Sequence, residues 1–338
     1  MTWMAWRQIR LPAQVYIGAV ALFLVVLAWT GPRMADQFDA DGLSRCALGQ
    51  EATGDRTCGD LERAFLGDFS VVGTLGGVLT LLPAVVGMFW GAPLLAREYE
   101  SRTSQLAWTQ SVTQRRWLAV RLAVVGGLAL AVTAFYSLAF TWWSGPRDRL
   151  GSRISPSTFE QRGIVPIAYV AFALLTGVAV GAVIRRVVPA TAVTLLIVVV
   201  TMFGVRDYVR PHLFDPVELR FPTYSFAADE PADRIATSRG WLVSNKTIDR
   251  DGTVVSPAGE LAEARAAEIC GLNLSDLQGR QAKHLLDDCG KRLGLTDVAK
   301  VHPTSRFWAL QAAEFALFLG LAAALGLFSF SWIRRGNR

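Results

Sequence analysis

Residues 164–205 read IVPIAYVAFALLTGVAVGAVIRRVVPATAVTLLIVVVTMFGV. Two long apolar runs flank one charged pair, Arg185 and Arg186. A helix of about twenty residues rises roughly 30 Å, the thickness of the hydrocarbon core of a bilayer. Lipid offers no partner to an unpaired peptide group, so each run must be helical. The alternating pattern of an outer-membrane barrel is absent. The stretch therefore predicts two membrane helices joined by a turn that is little more than two arginines.

Four further runs of the same kind lie on either side. Spans are expected over 11–30, 69–95, 117–143, 164–184, 187–205 and 307–333. The first is longer than the apolar region of a usual signal peptide, and no clear small-x-small cleavage site follows it, so it reads as a retained span. Composition agrees. The 338 residues are 52% hydrophobic and only 18% charged, against about 25% charged in soluble domains. That excludes a soluble enzyme, a small secreted disulfide scaffold and a disordered chain. The net charge of +6 is explained by basic residues beside membrane spans and needs no nucleic acid. The expected fold is an all-α polytopic membrane protein of six helices.

The distribution of basic residues predicts the orientation. With the N-terminus placed in the cytoplasm, the inner segments hold Arg7, Arg10, Arg97, Arg102, Arg115, Arg116, Arg121, Arg185, Arg186, Arg334, Arg335 and Arg338, against Glu98 and Glu100 alone. Both termini are then cytoplasmic. The segments 31–68, 144–163 and 206–306 lie outside, and 96–116 is an inner loop. All four cysteines, Cys46, Cys58, Cys270 and Cys289, fall in outer segments. An even count in an oxidising compartment reads as two disulfides with three possible connectivities. The pairs nearest in sequence, Cys46 with Cys58 and Cys270 with Cys289, are expected. Over 206–306 an alternating stretch around Asp251-Gly252 predicts a hairpin. Residues 258–269 and 277–293 predict helices. A small extracellular α+β cap follows.

No phosphate loop, dinucleotide fingerprint, zinc-protease motif or Cys-x-x-Cys occurs. The three histidines, His212, His284 and His302, are scattered, so no metal site is expected. Nothing marks an activated nucleophile, and the chain is not expected to be an enzyme. Work on a substrate requires energy from a partner or an ion gradient.

Gly91 to Leu122 reads GAPLLAREYESRTSQLAWTQSVTQRRWLAVRL. It is an inner connection with both charge signs, able to form a short helix from Glu98 to Trp108. Such a segment either caps two spans or docks a soluble partner. The run Ala96-Arg97-Glu98 through Thr103, Leu106 to Gln110 and Arg115-Arg116-Trp117 resembles the type-2 ABC exporter permeases, in particular an actinobacterial branch. His302 to Trp308, followed by Gln311, is similar to the approach to the last span in the same group.

The resemblance implies a permease subunit that dimerises with itself and binds two ATP-binding cassette ATPase subunits. ATP and magnesium would be held by those partners, and this chain would hold no cofactor. It implies a coupling helix in the loop after the second span, with Glu98, Tyr99, Thr103 and Leu106 at the docking surface. It implies an interfacial elbow over residues 1–10, where Trp3, Trp6, Arg7 and Arg10 suit lipid headgroups. The location implied is the bacterial cytoplasmic membrane. The implied activity is outward movement of an amphipathic substrate, antibiotic or lipid-like. The outer segment 206–306 is larger than in the simplest members and opens a different reading, a membrane sensor whose cap binds a ligand.

Four residues inside or beside the spans are candidates for the substrate pathway. Glu314 is an acidic residue within the sixth span, and intramembrane carboxylates are often functional. It either serves the pathway, reaches outer water, or pairs with an arginine such as Arg306. Gln311 lies one turn earlier. Gly73 and Gly77 in the second span, like Gly177 and Gly181 in the fourth, either allow close approach of a second copy or pack within one subunit. Pro83 predicts a kink in the second span.

Overall fold

The computed structural model describes residues 2–47, 58–100, 114–150, 153–222, 240–256, 268–271 and 288–335. Among the described residues, six helical segments are long and apolar enough to cross a membrane. The chain divides into two compact units. A membrane unit comprises Met1–Arg147, Ser157–Arg210 and Trp308–Arg338, and a second unit comprises Asp148–Pro156 and Pro211–Phe307.

Helix α1 (Thr2–Ala40) is unbroken. At 39 residues it is roughly 58 Å long, well beyond the hydrocarbon thickness of a bilayer. The helix thus carries the expected elbow region and the expected first span without a break between them. Two short helices follow, α2 (Leu43–Ala47) and α3 (Cys58–Asp68). Cys46 is bonded to Cys58 with Cα atoms 5.6 Å apart.

The second span is assembled from pieces: α4 (Ser70–Leu79), α5 (Leu82–Val86), a π-helical segment Gly87–Gly91, and α6 (Ala92–Glu100). Pro83 explains the first interruption. It has no N–H to give the carbonyl four residues back, so the helix stops at Leu79 and restarts with Pro83 in its first turn. The π segment is explained by what it packs on. A Cβ on Gly87 would lie 2.5 Å from the Ala173 carbonyl oxygen, and one on Gly91 would lie 2.5 Å from that of Leu174. Only glycine permits that approach.

Helix α7 (Gln114–Trp143) forms the third span, followed by the short α8 (Gly145–Leu150) and α9 (Pro156–Phe159). Helix α10 (Val165–Ile184) is the fourth span and α11 (Val187–Gly204) begins the fifth. Between them Arg185 takes the left-handed conformation, φ 57°. It ends α10 and reverses the chain, and its N–H bonds the Gly181 carbonyl at 3.1 Å. The fifth span continues through a second π segment, Val205–Val209, to His212. Helix α12 (Phe307–Arg335) is the sixth.

Helix α10 is the centre of the membrane unit. Of its most apolar stretch 67% is buried, against 22–33% for the other five spans. It touches α5, the first π segment, α6, α7 and α11. Gly177 and Gly181 lie on this contact. A Cβ at Gly177 would overlap the Gly87 carbonyl, and one at Gly181 would overlap that of Ala92. These two glycines therefore pack within one chain. Helix α1 lies along α7, held by a Tyr16–Thr133 hydroxyl bond of 2.7 Å and by the Trp143 indole donating to Thr30 Oγ1 at 2.9 Å.

The second unit contains an antiparallel sheet of β1 (Val217–Pro222), β2 (Gly240–Ile248), β3 (Val254–Ser256) and β4 (Thr296–Pro303), ordered β1-β4-β2-β3. The β2–β3 hairpin turns at Asp251-Gly252 as expected. Gly252 has φ +83°, and Asp249 Oδ1 accepts from the N–H groups of Asp251 and Thr253 at 3.0 and 2.8 Å. Strands β1 and β4 are additions to the sequence reading, and β4 is a central strand. Residues 268–270 and 288–293 are helical, while most of the two helices expected there lies outside the described residues. Cys270 and Cys289 are bonded, Cα atoms 5.9 Å apart. Both expected disulfides are present.

Candidate functional site

The membrane unit buries a charged cluster contributed by four separate elements. Arg210, at the end of the fifth span, is completely buried. Its Nε donates to Glu314 Oε2 at 2.7 Å and its Nη2 to Glu314 Oε1 at 2.9 Å, a two-pronged pair. Nη2 also reaches Glu160 Oε1 at 2.9 Å and Tyr169 Oη at 3.1 Å. The Tyr169 hydroxyl donates to Glu314 Oε1. The guanidinium sits 4.5 Å from the Phe159 ring centroid. Glu314 is thus paired with Arg210 rather than with Arg306, whose guanidinium donates to the Asp215 carbonyl. A buried charge on one side chain holds its place only if the others neutralise it, so the four residues stand or fall together.

Gln311, one turn before Glu314, works on the backbone. Its Oε1 accepts from the N–H groups of Ile164 and Val165, both at 3.0 Å. Its Nε2 donates to the carbonyls of Phe159 and Arg162 at 3.0 and 3.1 Å. One side chain thereby satisfies donors at the start of α10 and acceptors in the turn before it. That turn, residues 159–165, carries Glu160. The sixth span thus places Glu160 through Gln311 and neutralises its surroundings through Glu314.

Glu160 stands at the junction of two openings in the membrane unit. A cavity of about 180 Å³ is lined by Gly77, Thr80, Leu81, Glu160, Met202, Phe203 and Arg206. A narrower cleft, with Tyr16, Thr133, Tyr136 and Tyr169 among its walls, shares Thr80 and Glu160 with it. Arg206 Nε lies 3.7 Å from Glu160 Oε1 and 3.4 Å from Asp207 Oδ1. Burial raises the Glu160 carboxyl above its ordinary value, against the opposing pull of Arg210 and Arg206. The buried hydroxyl of Tyr136 has no hydrogen-bond partner among the described residues.

Of the pathway candidates, Gly77 lines the cavity, and a Cβ there would meet only Gln161 Nε2, at 4.0 Å. Gly73 faces the Arg147 guanidinium, 3.0 Å from an added Cβ. Arg210, Glu160 and Tyr169 escaped the sequence reading. Arg210 was assigned to an aqueous segment because Arg206, Asp207 and Arg210 follow the apolar run closely. Glu160 falls in the expected outer segment 144–163, just before the fourth apolar run.

At the arginine-rich end of the membrane unit, the last turn of α6 is tied inward. Arg121 Nη1 donates to Glu98 Oε1 at 2.8 Å with both side chains largely shielded. Arg121 also lies 3.9 Å from the Trp117 ring centroid. Arg185 lies 5.2 Å from the centroid of Tyr99. The Val187 N–H, at the start of α11, donates to Glu100 Oε2 at 3.0 Å. Thr103 and Leu106 lie outside the described residues.

The six spans define a multi-pass membrane protein built around α10. A model of the family described as ABC-2 membrane transporter related matches residues 17–210, more than half of the chain. The chain belongs to that family and is the membrane component of an ABC transporter. No curated protein and no solved structure matches it.

Proposed function

We propose that the chain is the permease half of an ATP-driven exporter and moves an amphipathic substrate outward from the cytoplasm of a bacterium. The observation that carries this is family membership over spans one to five. A soluble ATPase pair binds ATP and magnesium, and its closure pushes on the loop between α6 and α7. Two copies of the permease form the transport unit. The two alternating states differ in affinity for the substrate, and that difference is what the ATPase cycle exploits. Both termini face the cytoplasm of the inner membrane, and residues 1–10 lie at the headgroups.

The internal contacts of Glu98, Tyr99 and Glu100 support a division of labour in the loop. These three anchor its base to α7 and to the turn between α10 and α11. Thr103 and Leu106 then meet the ATPase. The test is purification of the chain from its native membrane with an ATPase assay on the eluate. ATPase activity should copurify with the natural chain and be lost from Leu106→Arg. A pure chain without ATPase would overturn the exporter reading and leave a ligand-sensing cap as the alternative.

A further inference from the structure

The geometry points to a phospholipid site in the membrane unit, the phosphate at the Arg206 guanidinium and the first methylenes of an acyl chain against Leu81, Met202 and Phe203. The headgroup that fits carries both charge signs, as in phosphatidylethanolamine. The cavity beside Arg206 is about 180 Å³, room for a phosphodiester and the start of a chain rather than a few waters. Leu81 and Phe203, two of its walls, are each 42% exposed. Both belong to membrane spans, so the cavity opens sideways toward lipid. Its depth in the bilayer also fits. Arg206 lies at the end of the fifth span away from the Arg185–Arg186 turn. Tyr208, on the same segment, is 78% exposed, and tyrosines on a lipid-facing surface gather at headgroup level.

Arg206 supplies the donors. It lines the cavity, and its side chain is 30% exposed, within reach of a headgroup. Its Nε is buried and has no hydrogen-bond partner among the described residues. Glu160 Oε1 and Asp207 Oδ1 stand 3.7 and 3.4 Å from it, near enough to share charge. A guanidinium with donors to spare suits a phosphate, which offers several strong acceptors at once. Charge balance then selects the headgroup. Glu160 and Glu314 offset Arg206 and Arg210, so the buried cluster has no net charge. Glu160 also lines the cavity, but its Oε1 is already held by Arg210 at 2.9 Å. A headgroup with a net negative charge would leave that cluster uncompensated. A headgroup with its own ammonium would not. Asp207, 57% exposed and beside Arg206, is the carboxylate within reach of that ammonium.

Calling this lipid the exported cargo rests on the exporter reading. Binding itself does not, because the site lies in one chain and needs no ATPase. The experiment uses the purified full-length chain in neutral detergent, stripped of lipid and free of any ATPase. Retention of radiolabelled dioleoylphosphatidylethanolamine on the immobilised chain measures binding. Dioleoylphosphatidylglycerol, dioleoylglycerol and inorganic phosphate serve as competitors. Saturable binding of the labelled lipid is expected. Dioleoylglycerol, which has the chains without the phosphate, should compete about tenfold less well than the unlabelled lipid, the loss of one charge-assisted contact. Dioleoylphosphatidylglycerol should also compete less well, and inorganic phosphate should not compete. Arg206→Gln should weaken phosphatidylethanolamine about tenfold and leave dioleoylglycerol unchanged, a split that misfolding would not produce. Gly77→Leu should weaken both lipids by filling the cavity. It keeps the test decisive if Arg206→Gln does not fold, since Gly77 has room for a side chain.

No saturable binding of phosphatidylethanolamine by the natural chain would overturn the inference. So would affinity unchanged in Arg206→Gln or in Gly77→Leu. Equal competition by phosphatidylglycerol would overturn the choice of a headgroup with both signs, and competition by inorganic phosphate would replace the lipid with a free anion. Lipid binding by a chain from which no ATPase can be recovered would uphold the site while removing the exporter reading. A copurifying ATPase with no lipid binding would do the reverse.

Discussion

Arg210 is completely buried and depends on its neighbours to offset its charge. Removing one member of such a pair leaves the other as an uncompensated buried charge, which costs about 3–5 kcal/mol, whereas removing both often costs far less. Arg210→Leu and Glu314→Leu are each expected to lower the thermal midpoint of the purified protein strongly. The double variant should recover much of the loss. Strictly additive losses would mean that the two side chains do not act as a pair. Glu160 and Tyr169 also hold Arg210, so recovery should be incomplete, with Glu160 still facing Arg206 across 3.7 Å. Leu106→Arg is the complementary case, a change outside this cluster that should spare the fold and remove the ATPase.

Between elements, backbone proximity decides more than side-chain chemistry. The π segment at Gly87–Gly91 and helix α10 meet main chain to main chain. Gly177→Ala must push those backbones apart, which costs about 1–3 kcal/mol as overpacking. Gly127→Ala, where nothing lies within 4 Å, should be silent or slightly stabilising in a helix. Thermal unfolding of both variants side by side checks the contrast, and equal effects would refute the close contact.

The sheet shows a different dependence. His302 on β4 donates through Nε2 to the Pro211 carbonyl at 3.0 Å and is buried, and its Nδ1 has no partner among the described residues. Burial lowers its pKa, and Arg306 adds to this against the hydrogen bond to Pro211. The unfolded chain therefore takes up the proton first, near the ordinary value of about 6.5. Stability from this group is fully present above that value and declines as pH falls below it toward the folded pKa. The protection factors of β4 amides, with exchange corrected for its intrinsic base-catalysed rate, should fall on moving from about pH 7.5 to about pH 5.5. The fall should be smaller in His302→Gln, which keeps a donor and does not titrate.

For the whole chain, the arrangement across the membrane rests on counting. Four spans separate the Cys46–Cys58 segment from the Cys270–Cys289 segment. An even number of crossings returns the chain to the same side. After reduction, a membrane-impermeant maleimide should label both cysteine pairs from the outer face of sealed, right-side-out vesicles. Labelling confined to inverted vesicles would reverse the proposed orientation. Labelling of one pair from each side would remove a span from the count.

The number and rough positions of the spans were readable from residue order because the bilayer imposes a one-dimensional rule: about twenty apolar residues in a row. The disulfides were readable because each pair is close in sequence, as was the β2–β3 hairpin, where Asp251-Gly252 is a local turn signal. Strand β4 was hidden because its residues alternate poorly. Its burial runs Asp297, Val298, Ala299 and then Val301, His302, as fits a central strand covered on both faces. Gly177 and Gly181 advertised close packing, yet whether they met a second copy or Gly87 and Ala92 depended on how α10 was oriented. Glu314 advertised a need for a partner. That the partner is Arg210, 104 residues away, and that Glu160 joins them from the turn held by Gln311, follows from which atoms the folded spans bring within hydrogen-bond reach. Charge pairing falls off over a few ångströms in space and has no memory of separation along the chain, so residue order could name the candidates but not match them.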